Sequence, residues 1–329
     1  MIIAGDIGGT KTNVALFEAD GDRLGKVVVQ QSFPSSKYGS LESILEEFVA
    51  AHRPGTVARA CFGVAGPVVG NRVETPNLAW KVSGETLART LKVESVRLIN
   101  DLEATAYGIE VLDHSQLHIL SEGNGSWHGP RALIAAGTGL GMAGIYFDGL
   151  HYHPMASEGG HADFAPRDTR EFELMLYLRE KLNGRVSYER VVSGMGIYNI
   201  YSFLRDRKIF DEPTWLAEEI EAGDKTAAVS KAALAGKAEI AVEALDMFVA
   251  VYGAMAGNLA LMLKSSGGLY VGGGIAPKII EKLKDGVFVR NYVDKGRLSG
   301  LVESIPVRVI LDDKTALYGA ALCALVETS

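Results

Sequence analysis

Cysteine is nearly absent: Cys61 and Cys323 are the only two in 329 residues. Each sits alone among apolar neighbours, so neither a disulfide framework nor a cysteine-based zinc site can be built, and no structural zinc is expected. Positive charge is also scarce, with 33 Lys and Arg against 40 Asp and Glu and a formal net charge of -7. The two signs are mixed along the chain and no basic patch forms, which argues against a nucleic-acid or membrane partner. A long unbroken apolar run is missing too. The longest, Phe248 to Leu263, is interrupted by Gly253, Gly257 and Asn258, and it reads as a core helix instead of a membrane span. The opening Met1-Ile-Ile-Ala-Gly-Asp6 has neither the charged segment nor the cleavage site of a secretory leader. These gaps together set the expectation of a cytoplasmic protein.

What the chain does have is core-forming material. At 47% hydrophobic composition, it can bury one large core or two packed lobes with a cleft between them. Short β-prone runs at 2–5 and 13–17 flank a glycine turn, the pattern of a hairpin. Helical spacing of apolar residues from Leu41 to Ala51, a strand at Arg59 to Val64, and another at Val96 to Ile99 leading into a helix from about Leu102 give an α/β class.

The chain also resembles itself in two places. Ile3-Ala-Gly-Asp-Ile-Gly-Gly-Thr-Lys-Thr-Asn-Val-Ala-Leu-Phe17 is similar to Ile134-Ala-Ala-Gly-Thr-Gly-Leu-Gly-Met-Ala-Gly-Ile-Tyr-Phe147. Val96-Arg-Leu-Ile-Asn-Asp-Leu-Glu-Ala-Thr-Ala-Tyr-Gly108 aligns without a gap on Val307-Arg-Val-Ile-Leu-Asp-Asp-Lys-Thr-Ala-Leu-Tyr-Gly319. Paired repeats of this kind are the trace of a duplicated architecture. They predict two pseudo-symmetric α/β domains, a smaller one over 1–110 plus 312–329 and a larger one over 111–311.

Three glycine clusters punctuate this frame. In Gly5-Asp6-Ile7-Gly8-Gly9-Thr10 the paired glycines let backbone N–H groups approach a phosphate, although a ligand-free hairpin turn would use the same residues. Gly137-Thr138-Gly139-Leu140-Gly141 repeats the chemistry. Met142 stands where a dinucleotide fingerprint needs glycine, and no G-x-x-x-x-G-K-[ST] occurs, so Rossmann and P-loop readings both fail. Two glycine-threonine hairpins fit a triphosphate held from both sides. The third cluster, Gly272-Gly273-Gly274, empties a strand toward Ala276-Pro277, where the adenosine end of a nucleotide could sit.

Among polar residues, Asp101 stands between a strand and a helix, where it reads either as a helix N-cap or as a general base. Its repeat partner Asp312 shares the aspartate but lacks the amide beside it, Asn100 being replaced by Leu311. Capping accounts for the shared aspartate; the extra amide favours a kinase pair in which Asn100 orients a hydroxyl and Asp101 takes its proton. Glu158 and His161, three apart across two glycines, could both face a small polar ligand, with too few partners for a metal site. Glu189 alone reads as a surface charge.

In combination these motifs resemble the bacterial glucokinase family, within the two-lobed actin-like, ribonuclease H-like superfamily that includes hexokinase and Hsp70. The likeness runs through Gly5-Asp-Ile-Gly-Gly-Thr10, Gly63-Val-Ala-Gly-Pro67, Thr75-Pro-Asn-Leu-Ala-Trp80, Ile99-Asn-Asp101, Gly137-Thr-Gly-Leu-Gly141, Glu158-Gly-Gly-His161, Glu189-Arg-Val-Val-Ser-Gly194 and Gly272-Gly-Gly-Ile-Ala-Pro277. The resemblance implies an ATP-dependent kinase acting on the 6-hydroxyl of glucose, with Asp101 as base and Asn100, Asp101, Glu158, His161 and Glu189 on the sugar. It implies ATP contacts at Gly5, Asp6, Ile7, Gly8, Gly9, Thr10, Gly137, Thr138, Gly139 and Gly273, Mg²⁺ oriented by Asp6 through water, and a homodimer. Lys11-Thr12 instead looks like the ROK sugar kinases and repressors, but the zinc-binding cysteine cluster typical of that group is lacking and no helix-turn-helix precedes the first strand. Pro76 also departs from the family pattern, so Asn77 is not assigned to the site. A kinase for mannose, fructose or an N-acetylhexosamine, a non-catalytic sugar sensor, and polyphosphate as donor are the competing readings.

Overall fold

The computed structural model describes residues 1–20, 23–75, 78–124 and 128–326; Pro76 and Asn77 of the Thr-Pro-Asn motif lie outside them. The chain divides into two compact units, the first made of Met1–His114, Tyr152–Ala156 and Asp312 onward, the second of Ser115–His151 and Ser157–Leu311.

The first unit is built on β1 (Ile2–Ile7), β2 (Lys11–Asp20), β3 (Arg23–Pro34), β4 (Arg59–Val64) and β7 (Val96–Asn100), in the sheet order β3-β2-β1-β4-β7; β5 (Arg72–Glu74) and β6 (Lys81–Ser83) form a separate small hairpin. β1 runs antiparallel to β2 and parallel to β4, which is parallel to β7. Because side chains alternate across a strand, Ile3 and Ile7 enter one core while Ile2 and Ala4 enter another. Helices α1 (Leu41–His52) and α2 (Gly84–Leu91) cover the first face, and α3 (Asp101–Gly108) and α12 (Thr315–Val326) the second. α1 begins where Ser40 accepts the Ser43 N–H and buries Leu41, Ile44, Leu45 and Phe48, one stripe at helical spacing.

In the second unit, β8 (Leu117–Ser121), β9 (Arg131–Ala136), β10 (Leu140–Phe147), β12 (Gly268–Gly272) and β13 (Val307–Ile310) run in the order β10-β9-β12-β13-β8, while β11 (Tyr152–Ser157) follows β10 in the chain. β9 is antiparallel to β10 and parallel to β12, and β12 is parallel to β13. The pairing pattern of β2-β1-β4-β7 is thus repeated in β10-β9-β12-β13. Both sequence repeats fall at matching places in it: the hairpin repeat on β1-β2 and β9-β10, the strand-to-helix repeat on β7 and β13. The two-fold α/β architecture was legible from these repeats.

The core of the second unit collects around α8 (Glu239–Leu263), with α4 (Thr169–Leu182), α5 (Gly194–Asp206), α6 (Thr214–Ala222), α7 (Lys225–Leu234) and the short α9 (Ile280–Leu283), α10 (Val287–Val293) and α11 (Ser299–Glu303). α8 extends beyond the apolar stretch noted in the sequence. Its 25 residues are long and apolar enough to cross a membrane, but 78% of its apolar window is buried inside the unit, and the core packed around it identifies it as a central helix.

Candidate active site

Asp6, next to the last residue of β1, lies directly opposite Asn13 of β2. Burial and then the nearby Asp101 carboxylate push the Asp6 carboxyl up to about 6, against a hydrogen bond from Asn13 and the charge of Lys11; Asp313 pushes in the same direction. A divalent cation would relieve this crowding of negative charge. Among the described residues no group of three or more His, Cys, Asp and Glu is gathered as a metal cage. The β1-β2 turn itself is pinned from outside. Gly8 N–H donates to Lys11 O at 3.0 Å, Ser35 Oγ donates to Gly8 O at 2.7 Å, and Ser35 N–H donates to Thr10 O at 3.0 Å.

The raised Asp6 carboxyl has a measurable consequence. Its folded-state value lies above the usual 3.8, so folding favours the protonated form, and the stability this group allows at low pH is lost as pH rises from about 4 through 6. The burden above pH 6 is roughly 2 to 3 kcal/mol. Asp6→Asn should therefore be more stable than the natural protein at pH 7, with the difference vanishing below pH 4, as read by urea unfolding across pH. An unchanged pH profile would mean that Asp6 ionises like a surface aspartate.

At the end of β7 the structure corrects the sequence reading. Asn100, not Asp101, is the N-cap of α3: its Oδ1 accepts the Leu102 N–H at 2.8 Å, and its Nδ2 donates to Gly66 O at 3.0 Å. Asp101 is the first helical residue, with Oδ1 3.0 Å from the same Leu102 N–H. The extra amide is a cap that also anchors the Gly63–Pro67 turn. Asp101 is a second acceptor on the Leu102 N–H, so the helix start does not depend on Asp101 alone.

In the second unit, Gly159–His161 form one 3₁₀ turn after Glu158. His161 lies between two carboxylates, its Nε2 3.9 Å from Glu158 Oε2 and its Nδ1 3.9 Å from Glu189 Oε1. The turn is pressed so close to β10 that a Cβ on Gly160 would overlap the Leu140 carbonyl oxygen, which is why a glycine stands there. Glu189 is not the surface charge that its sequence context suggested. Its side chain is 23% exposed, and its Oε2 accepts the Leu140 N–H at 3.1 Å.

The same segment grips the second glycine turn. Gly194 N–H, at the start of α5, donates to Gly137 O at 2.8 Å, and Gly137 N–H closes on Gly139 O at 2.9 Å. Ser193 caps α5 through the Gly196 N–H while its hydroxyl donates to Glu189 O at 2.7 Å. Gly273, beyond β12, adopts φ +83 with its Cα against the Ala136 peptide, so Gly137–Gly139 and Gly273 are neighbours. Sequence reasoning missed Asn13, Ser35 and Asp313. Only Asp313, in an Asp-Asp pair within a repeat, carried a local signal.

A profile of the glucokinase family matches residues 3–327. The chain belongs to the glucokinase family. A glucokinase from Nostoc sp. (strain PCC 7120) is 44% identical over 337 residues, spanning 98% of each chain. The crystal structure of a glucokinase from an Antarctic psychrotroph shares 30% identity over 98% of both chains with a TM-score of 0.86. A ROK-family glucokinase from Streptomyces griseus, solved with glucose and AMPPNP, shares the fold at a TM-score of 0.64 and 22% identity over 98% of each chain. The glucokinase family thus supplies the actin-like sugar kinase fold that the motifs of this chain resemble.

Proposed function

We propose that the chain is an ATP-dependent glucokinase that forms glucose 6-phosphate and ADP. The observation that most supports this reading is the Glu158, His161 and Glu189 group. It offers two carboxylates and an imidazole to a neutral ligand rich in hydroxyls, and its Glu189 is fastened to the backbone that leaves the Gly137–Gly139 turn. Asp101 accepts the proton of the 6-hydroxyl as that oxygen forms its bond to the γ-phosphorus and the bond to the β–γ bridging oxygen breaks. Asn100 sets the start of α3 and turns its remaining amide hydrogen to the sugar. The threonine hydroxyls of the Gly8–Thr10 and Gly137–Gly139 turns, with those N–H groups that the turns do not spend on their own carbonyls, hold phosphate oxygens, and Gly273 leaves room for the nucleoside. Mg²⁺, oriented by Asp6 through water, would supply charge neutralisation on the phosphates. The working form on this reading is a cytoplasmic homodimer.

The test is ATP-dependent ADP release and sugar phosphate formation over a panel of glucose, mannose, fructose, N-acetylglucosamine and deoxyglucoses. Each hydroxyl recognised by a charged side chain contributes about 1.5 to 3 kcal/mol, so its removal should lower kcat/KM by about one to two orders of magnitude. Highest kcat/KM on another hexose would move the specificity, and tight glucose binding without turnover would make the protein a sensor.

A further inference from the structure

Tyr252 lies in the middle of α8 with no solvent exposure, surrounded by an apolar core in which its ring meets Phe248 and Phe288 at centroid distances of 5.7 and 5.4 Å. A phenylalanine would fill that space without bringing a hydroxyl out of water, a transfer that is unfavourable unless the hydroxyl is used. It is used at one place. The Ala136 N–H donates to the Tyr252 oxygen at 3.2 Å, while the hydroxyl hydrogen can reach Ile134 O at 3.3 Å or Gly272 O at 3.4 Å. Ala136 is the residue before Gly137, and Gly272 the residue before Gly273.

The Ala136 peptide is therefore a node. Its N–H meets Tyr252, its oxygen accepts the Ile275 N–H at 3.2 Å, and its face admits only a glycine at position 273. Burial holds the Tyr252 phenol well above its usual range, so the bridge stays protonated and neutral at any working pH.

We propose that Tyr252 is a positioning residue for the nucleotide: its hydroxyl sets the spacing between the Gly137–Gly139 turn and Gly273, without touching either substrate. The proposal rests on the reading of those two turns as ATP contacts. Its function is to hold backbone groups in the geometry that phosphate and nucleoside need, since small misplacements of binding groups weaken binding disproportionately.

Tyr252→Phe keeps the ring and removes only the bridge. Its ATP KM, and its dissociation constant for a non-hydrolysable ATP analogue by calorimetry, should rise about tenfold, the worth of one buried hydrogen bond, while glucose KM stays within twofold. Phe288→Leu serves as the control for general loosening of the same core. The proposal is overturned if ATP KM is unchanged in Tyr252→Phe, if both KM values move together as in the control, or if Tyr252→Phe does not fold, which would make the hydroxyl a folding determinant. A natural protein that turns over glucose and ATP while Tyr252→Phe shows no change sinks this inference alone; a natural protein with no glucose-dependent ADP release sinks the underlying reading.

Discussion

Asp101→Asn should lower kcat by about three orders of magnitude while glucose KM changes by no more than a few-fold. The amide can still hydrogen-bond a sugar hydroxyl but cannot take its proton, so the loss falls on the chemical step. The substitution is also structurally mild. Asn100 already caps α3 through the Leu102 N–H at 2.8 Å, and the Asp101 contact to that N–H at 3.0 Å is a second acceptor on one donor. The helix start should therefore survive the substitution. Asn100→Ala, in contrast, should lose about 1 kcal/mol of stability with the cap. Turnover within tenfold of normal in Asp101→Asn would reduce Asp101 to an auxiliary helix-start residue and leave the reaction without its base.

The contrast between these neighbouring residues shows what a linear reading can and cannot recover. The glycine hairpins and their duplication were visible because each is a continuous string whose turn chemistry is local. The cap of α3 was placed on Asp101 instead of Asn100 because a cap is recognised only once the helix boundary is known to a single residue, and the helix begins one position earlier than its apolar pattern suggested. Glu189 read as a surface charge when taken by itself, and only the family resemblance placed it on the sugar, because its partner, the Leu140 N–H, lies 49 residues away. Ser35 and Tyr252 act through backbone groups 27 and 116 residues distant, and a backbone acceptor leaves no trace in the side-chain sequence. What was legible was the architecture and the turns; what was hidden was the set of side chains that hold those turns in place.

The strand-to-helix repeat ends on glycine in both copies, and the packing of the first unit explains why. A Cβ on Gly319 of α12 would overlap the carbonyl oxygen of Ala104 and lie 2.5 Å from Gly108 N, while one on Gly108 of α3 would overlap the carbonyl oxygen of Thr315. The two helices cross backbone to backbone at the two equivalent glycines. For Gly319→Ala, intrinsic helix preference favours alanine by about 1 kcal/mol, but the added methyl meets backbone, not a side chain that could turn aside. Overpacking should win, with a net loss of roughly 2 to 3 kcal/mol and an apparent Tm lower by about 4 to 10 °C. Because α3 begins at Asp101, its displacement should also lower kcat by about tenfold or more, with a smaller change in ATP KM, since a misplaced base is felt in the chemical step. A Gly319→Ala protein with natural Tm and kcat would show that α3 and α12 can separate by a methyl group without moving the start of α3, and the glycine crossing would then have no part in placing Asp101.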